Sequence, residues 1–186
     1  IMPRPISNPL PIMIAAMNLN SIRNAAAKGY HVQSTVLSGT KELLLERTDA
    51  FQKGKREAGE KGKSLKLSMQ RVAYAAKNEQ DAKEKNILAY EYYKRFDNMF
   101  TGPGIVKKGL IEPLPREQTL EELTENLLIC TPPEMIDKLA KYAEAGVDEI
   151  IISAGFGQSQ EDMIESMHRI GDKIIPHFKN FSTKVA

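Results

Sequence analysis

Short apolar runs, each followed by a helix signal, constrain this chain more than any other feature. "IMIAA" (residues 12–16) is a continuous apolar run, the pattern of a strand buried on both faces. It passes straight into "NLNSIRNAAAKG". There Asn18 or Asn20 suits a helix N-cap, Ile22, Ala25 and Ala26 share a face, and Gly29 stands at the C-cap. "YHVQSTVL" (residues 30–37) is rich in β-branched residues and predicts the next strand.

The alternation continues. "GTKELLLERTDAFQKGKREAG" predicts an amphipathic helix capped by Thr40, lined by Leu43, Leu44 and Phe51, and ended by Gly59. "SLKLSMQRVAYAA" (residues 64–76) alternates at Leu65, Leu67 and Met69 and then turns apolar, as a strand entering a core does. "NEQDAKEKNILAYEYYKRFDNMF" predicts a long helix capped by Asn78, with Ala82, Ile87, Tyr90 and Phe96 recurring at near-helical spacing.

"TLEELTENLLI" predicts a helix running into a short buried segment. In "TPPEMIDKLAKYAEAG", Thr131 and Glu134 have capping-box spacing, Pro132 takes the first helical position and Gly146 the stop. Met135, Leu139 and Ala143 make its stripe. "VDEIIISAG" (residues 147–155) predicts a fourth buried strand. A last helix is capped by Ser159, turns Met163, Met167, Ile170 and Ile174 inward, and is bent or ended by Pro176. Four strands alternating with helices predict parallel βαβ units.

Two segments break the pattern. Residues 1–11 hold four prolines and predict an extended lead-in. Residues 101–117, "TGPGIVKKGLIEPLPRE", combine three glycines and three prolines without a period. They predict a long loop, either a lid over a site or a plain surface excursion.

Composition narrows the functional class. A length of 186 residues suits one domain or part of a larger one, and 41% hydrophobic residues can supply a core. The net charge is +2, and the densest basic stretch (residues 53–66) is broken by Glu57 and Glu60. This predicts a solvated helix end rather than a nucleic-acid stripe. A single cysteine, Cys130, excludes an internal disulfide framework and fits a reducing cytoplasm. No apolar run approaches the roughly 20 residues that span a membrane, and the Pro-rich start lacks the apolar region of a secretory signal. No metal-ligand cluster, Walker loop or Ser-His-Asp set stands out.

"PLPIMIAAMNLNSIRNAAAKGY" and "LLICTPPEMIDKLAKYAEAGVDEIIISAGFG…IIPHF" together resemble the bacterial luciferase-like flavin monooxygenases. The first resembles that family's fifth strand and following helix; the second resembles its seventh helix, eighth strand and C-terminal helix. The resemblance implies an α/β fold of the TIM-type (β/α)8 barrel. Such barrels need about 250 residues and rarely fewer than about 200. The implied fold is therefore the C-terminal half of a barrel, strands five to eight, with residues 1–186 as a single partial domain and 101–117 as its lid loop. A half-barrel leaves two strand edges and a core face uncovered, so it is expected to pair with the missing half, dimerise or aggregate.

The resemblance also implies a cofactor. Family members take reduced FMN from a separate flavin reductase and use oxygen to oxidise a small organic substrate, the flavin supplying the chemistry. The positions matching the family's phosphate site are Met17, Asn18 and Ser21. A helix N-terminus offers free N–H groups and a positive dipole end to such an anion, although plain capping explains the same residue types. Many members have Ser where Asn18 stands, and Gly is common where Cys130 stands. Ser153 and Gly155, with Ala154 and Phe156, end the last strand, which in a barrel is the catalytic mouth; they suit either a flavin ring or a tight turn.

His31 reads as a capped or surface residue, His168 and His177 as outer-helix residues, and Cys130 as a small buried one. Arg71 reads as a partner for a flavin or substrate charge, or as a salt bridge. Tyr90, Tyr92 and Tyr93 read as packing and surface residues. The implied general acid/base residues belong to the absent half. Two other readings remain open at this point: a deazaflavin-dependent hydride transferase of the same superfamily, and a non-catalytic flavin-binding half-barrel.

Overall fold

The computed structural model describes residues 6–7, 10–100 and 102–179. The lead-in predicted over residues 1–11 falls largely outside them. Two compact units divide the described residues, one formed by those up to Gln70 with Tyr142–Ile151, the other by those of Arg71–Lys141 and from Ile152 to Lys179.

The first unit starts with β1 (Met13–Ala15), α1 (Leu19–Ala27), β2 (His31–Thr35) and α2 (Lys41–Glu57), followed by a 3-10 turn at Gly59–Ser64. These elements lead into β3 (Leu67–Ala75). The strands are parallel and in sequential order: Ile14 pairs with Val32, and Val32 with Leu67. Parallel neighbours need crossovers, and α1 and α2 supply them. Ile22, Ala26, Val32, Phe51, Leu67 and Met69 are fully buried and form the heart of the core, joined by Val147. The predicted face of α1 is the buried one.

Gly29 has a φ of +86°, which closes α1 in the left-handed conformation that favours glycine. Gly54 has a different job. A Cβ there would stand 2.2 Å from the Arg23 carbonyl oxygen and 2.8 Å from the Ala26 Cβ, so only glycine lets α2 lie this close to α1.

The second unit contains the upper part of β3, α3 (Glu79–Phe100), a hairpin of β4 (Val106–Lys107) and β5 (Leu110–Ile111), α4 (Leu120–Asn126) and β6 (Leu128–Cys130). Most of α5 (Pro132–Glu144) follows, then the end of β7 (Glu149–Ser153) and α6 (Gln160–Arg169). A π-helical turn at Ile170–Ile174 and α7 (Ile175–Phe178) close the described chain. β6 lies parallel to β3, with Tyr74 opposite Ile129, and β7 also pairs with β3.

Several helix ends follow the local signals, although Thr40 precedes α2 without a side-chain cap bond. Asn78 accepts the Asp81 N–H at 2.9 Å and Ser159 accepts the Asp162 N–H at 3.1 Å. At Thr131 only half of a capping box forms: Glu134 accepts from both the Thr131 N–H and its hydroxyl. Thr119 and Glu122 make a complete one at the start of α4. The π turn takes up the change of path before Pro176, which sits in the first turn of α7.

Several expectations need correction. β1 is not buried on both faces: Met13 is 42% and Ile14 36% exposed, because β1 is the outermost strand of its sheet and has one neighbour, β2. β7 is likewise only partly buried, with Ile152 40% exposed. The short segment before Thr131 is a strand, β6. The buried face of α3 runs through Ala82, Lys85, Asn86, Ala89, Tyr93 and Asn98, leaving Ile87 exposed and Tyr90 and Phe96 half-buried. Met167 is exposed on α6.

Residues 102–117 contain the β4–β5 hairpin. Lys108 and Gly109 both have positive φ (50° and 79°), the geometry of a tight two-residue hairpin turn. Asn98, fully buried, donates to the Ile105 and Glu112 carbonyls (2.9 and 2.7 Å) and accepts the Ile105 N–H (2.9 Å). The hairpin is thus fastened to the C-terminal end of α3. Early α3 meets the C-terminal part of β3 through Asp81 and Tyr74.

Arg71 is buried and donates to the Asn126 carbonyl, and Lys138 donates to the Thr124 and Leu127 carbonyls at 3.0 and 2.8 Å. Two cations thereby satisfy the free carbonyls at the end of α4. Among the described residues no helix is long and apolar enough to cross a membrane.

Candidate functional site

In parallel α/β folds, chemistry concentrates where strands end and helices begin. Two such corners hold the residues singled out above, one in each unit.

The first is the β1–α1 corner. Asn18 is extended (φ −81°, ψ 137°) and its side-chain oxygen accepts from the Asn20 N–H at 2.9 Å and the Ser21 N–H at 3.4 Å. Its carbonyl accepts the Ile22 N–H at 2.9 Å. Capping is therefore what Asn18 does in this structure. Met17, Asn18 and Ser21 are exposed, and no acidic residue lies in the first turn of α1. The corner is open and slightly positive by its helix end, and the first turn holds no carboxylate.

The second corner is the β7–α6 turn in the other unit. Ser153 and Ala154 are half-buried, Gly155 is exposed and Phe156 is buried. Gly155 leaves open space where a Cβ would stand, and Gly157, with a φ of +115°, carries the left-handed step of the turn. Gln158 braces the turn by accepting the Phe156 N–H at 2.9 Å and donating to the Ala154 carbonyl.

Beneath this turn lies a cluster that sequence reasoning missed. Tyr74, fully buried near the end of β3, donates its hydroxyl to Asp81 (3.2 Å) and accepts from Arg169 (3.5 Å). Lys85 bridges Asp81 and Asp162 at 3.2 and 3.1 Å, and Lys77 reaches Glu165 at 2.9 Å. Arg169 also donates to the Ala75 carbonyl at 2.6 Å, and the Ser166 hydroxyl accepts the Ala75 N–H at 2.8 Å.

Charges in this cluster are mutually supporting. Hydrogen bonds from Lys85 and Ser159 hold the Asp162 carboxyl below its ordinary range, and Lys77 does the same for Glu165. Burial pushes Tyr74 up, with the Asp81 charge adding to it, so its hydroxyl keeps its proton. The only sequence signal was the four-residue spacing of Asp81 and Lys85. An apolar cavity of about 180 Å³ adjoins the cluster, lined by Ala73, Tyr74, Ile152, Met163, Ser166 and Ile170 among others.

His31 Nδ1 accepts the Lys66 N–H at 3.1 Å. His168 and His177 are exposed. Burial pushes the Cys130 thiol up to about 11, which makes it a poor nucleophile at neutral pH. Burial, foremost, raises Tyr93 to about 12.

The chain is similar to known proteins over nearly its whole length. It is 29% identical over 187 residues to the flavin-dependent trigonelline monooxygenase, oxygenase component, of Acinetobacter baylyi, covering 95% of this chain and 51% of that one. Its fold matches the oxygenating constituent of 3,6-diketocamphane monooxygenase from Pseudomonas putida, a type II Baeyer-Villiger monooxygenase solved with FMN. There the TM-score is 0.62 at 18% identity, covering 89% of this chain and 48% of that one. It also matches the coenzyme F420 dependent tetrahydromethanopterin reductase of Methanopyrus kandleri, with a TM-score of 0.62 at 17% identity, covering 92% and 52%. The chain spans about half the length of each, and its fold is a partial barrel of their kind. The family model for luciferase-like monooxygenases matches residues 1–149, and the chain belongs to that family.

Proposed function

We propose that the whole protein is the oxygenase component of a two-component, FMN-dependent monooxygenase that oxidises a small organic substrate with oxygen. The observation that carries this reading is the similarity to a flavin-dependent oxygenase component across 95% of the chain. The name of that relative supports a separate reductase as the source of reduced flavin.

The β1–α1 corner fits a phosphate in charge and access, because it has an exposed helix N-terminus and no acid in the first turn. Asn18 now occupies the N–H groups of Asn20 and Ser21. In the proposed site its side chain turns to offer the amide N–H, while Ser21 offers its hydroxyl and the freed backbone N–H groups complete the cradle. Met17, exposed just before Asn18, borders that cradle. At the other corner, Ser153 and Gly155 present a hydroxyl and a side-chain-free stretch of backbone against which a planar ring system can lie. The bound flavin supplies the oxygen chemistry; these residues bind and orient it. The pairing of this chain with the other half of the barrel and a cytoplasmic setting belong to the same proposal.

Titrating the full-length protein with FMN and with a deazaflavin, followed by fluorescence quenching, tests the reading. FMN binding that is weakened by Asn18→Ala and Ser21→Ala is the expected result. Binding of deazaflavin alone moves the protein to the hydride-transfer branch of the superfamily. Binding of neither cofactor sinks both readings.

A further inference from the structure

We infer that Tyr74 is a positioning residue: it carries the β7–α6 turn and so sets where Ser153 and Gly155 stand. Phe156 is the only buried side chain between Ala154 and Ser159. Its ring meets that of Tyr74 edge-on, with centroids 6.1 Å apart and planes at 86°, a favoured aromatic geometry. Within the turn, Gln158 ties Ala154 to Phe156, so these residues move as one piece. Its buried aromatic anchor is Phe156 on Tyr74.

Tyr74 in turn is held from both flanking helices. Asp81 of α3 accepts its hydroxyl and Arg169 of α6 donates to it. Lys85 and Arg169 lie over its ring at 5.4 and 5.8 Å from the centroid. Asp81 is fixed by the Lys77 N–H at 2.8 Å and by Lys85. The ring therefore has little freedom, and it passes that constraint to the turn through its contact with Phe156.

The functional consequence rests on the flavin reading above; the mechanical one does not. The full-length protein, with Tyr74→Leu, Phe156→Leu and Tyr74→Phe, is compared with wild type by amide hydrogen exchange and by FMN titration. Tyr74→Leu and Phe156→Leu are expected to speed exchange over residues 154–158 about two- to tenfold, with α1 and α2 unchanged. Tyr74→Phe keeps the ring and is expected to stay close to wild type. FMN affinity falls in the two leucine variants by a similar factor and is rescued in Tyr74→Phe. Unchanged exchange over 154–158 in both leucine variants overturns the inference whether or not flavin binds. A loosened turn with unchanged FMN affinity overturns its link to the cofactor. If wild type binds no FMN, the function proposed above fails, and the exchange data still decide whether Tyr74 carries the turn.

Discussion

Lys85 and Asp162 meet at 3.1 Å although one belongs to α3 and the other to α6. The lysine is nearly buried and has Asp81 as its second partner at 3.2 Å. Two helices that begin at different strand ends are thereby tied through one ammonium group. Removing one partner of a buried pair costs more than the pair itself contributes, because the other charges stay behind. Lys85→Met is expected to lower the thermal midpoint by a few degrees, about 2–4 °C for each kcal/mol lost. Differential scanning calorimetry checks it.

The same cluster sets a pH response. Lys85 holds Asp162 below its ordinary range and Lys77 holds Glu165 below its own. For Asp81 burial acts the other way, but the Lys77 N–H and Lys85 outweigh it and the carboxyl is lowered too. Groups lowered in the folded state stabilise it above their unfolded values, about 3.9 for Asp and 4.3 for Glu, and lose that contribution as pH falls through the folded values. The midpoint is expected to be level above about pH 5 and to fall below about pH 4. Lys85→Met should flatten that fall; a profile identical to wild type would refute the assignment.

Asn98 makes three hydrogen bonds to the backbone of the 105–112 hairpin. Asn98→Ala removes all three; the Ile105 carbonyl keeps the Glu112 N–H at 3.0 Å, while the Glu112 carbonyl and the Ile105 N–H lose Asn98, at up to about 1–3 kcal/mol for a group left unsatisfied. The hairpin tip carries Lys107 and Lys108. Trypsin should cut there several-fold faster in the variant than in wild type, read by mass spectrometry of timed digests.

The Cys130 thiol, pushed up to about 11 by burial, should be silent to a disulfide reagent at pH 8 and react after denaturation. One equivalent of fast-reacting thiol in the native protein would contradict its placement. Cys130→Ala should retain the fold.

Asn18→Ala removes the cap of α1, at about 0.5–2 kcal/mol, while Asn18→Ser keeps most of it. Urea unfolding of the two variants separates capping from any effect on FMN.

Local rules were legible from the sequence where a single segment decides the outcome. Gly29, Asn78 and Ser159 close or open helices as their spacing predicts, because capping involves residues only a turn away. The exposure of β1 and β7 was not legible. Their apolar runs report what a strand is built to bury against, and the neighbours that would do the burying are not in this stretch of chain. The hairpin escaped because strands of two residues have no readable period. The Met17–Ser21 corner was visible as a cap with a second possible use. The Tyr74 cluster was not, since it joins positions 74, 81, 85, 162 and 169, and only the two on α3 are neighbours in sequence.

Gly54 has a reach beyond its own helix. Its missing side chain lets α2 press on the Arg23 carbonyl in the middle of α1, and the first turn of α1 is the corner proposed to cradle the flavin phosphate. A methyl group added at 54 would act like a shim under a lever, tilting that corner from a point 33 residues away from Ser21. A survey of flavin-affinity mutants would then flag a glycine that no ligand touches, and its effect would read as cofactor recognition while being helix spacing.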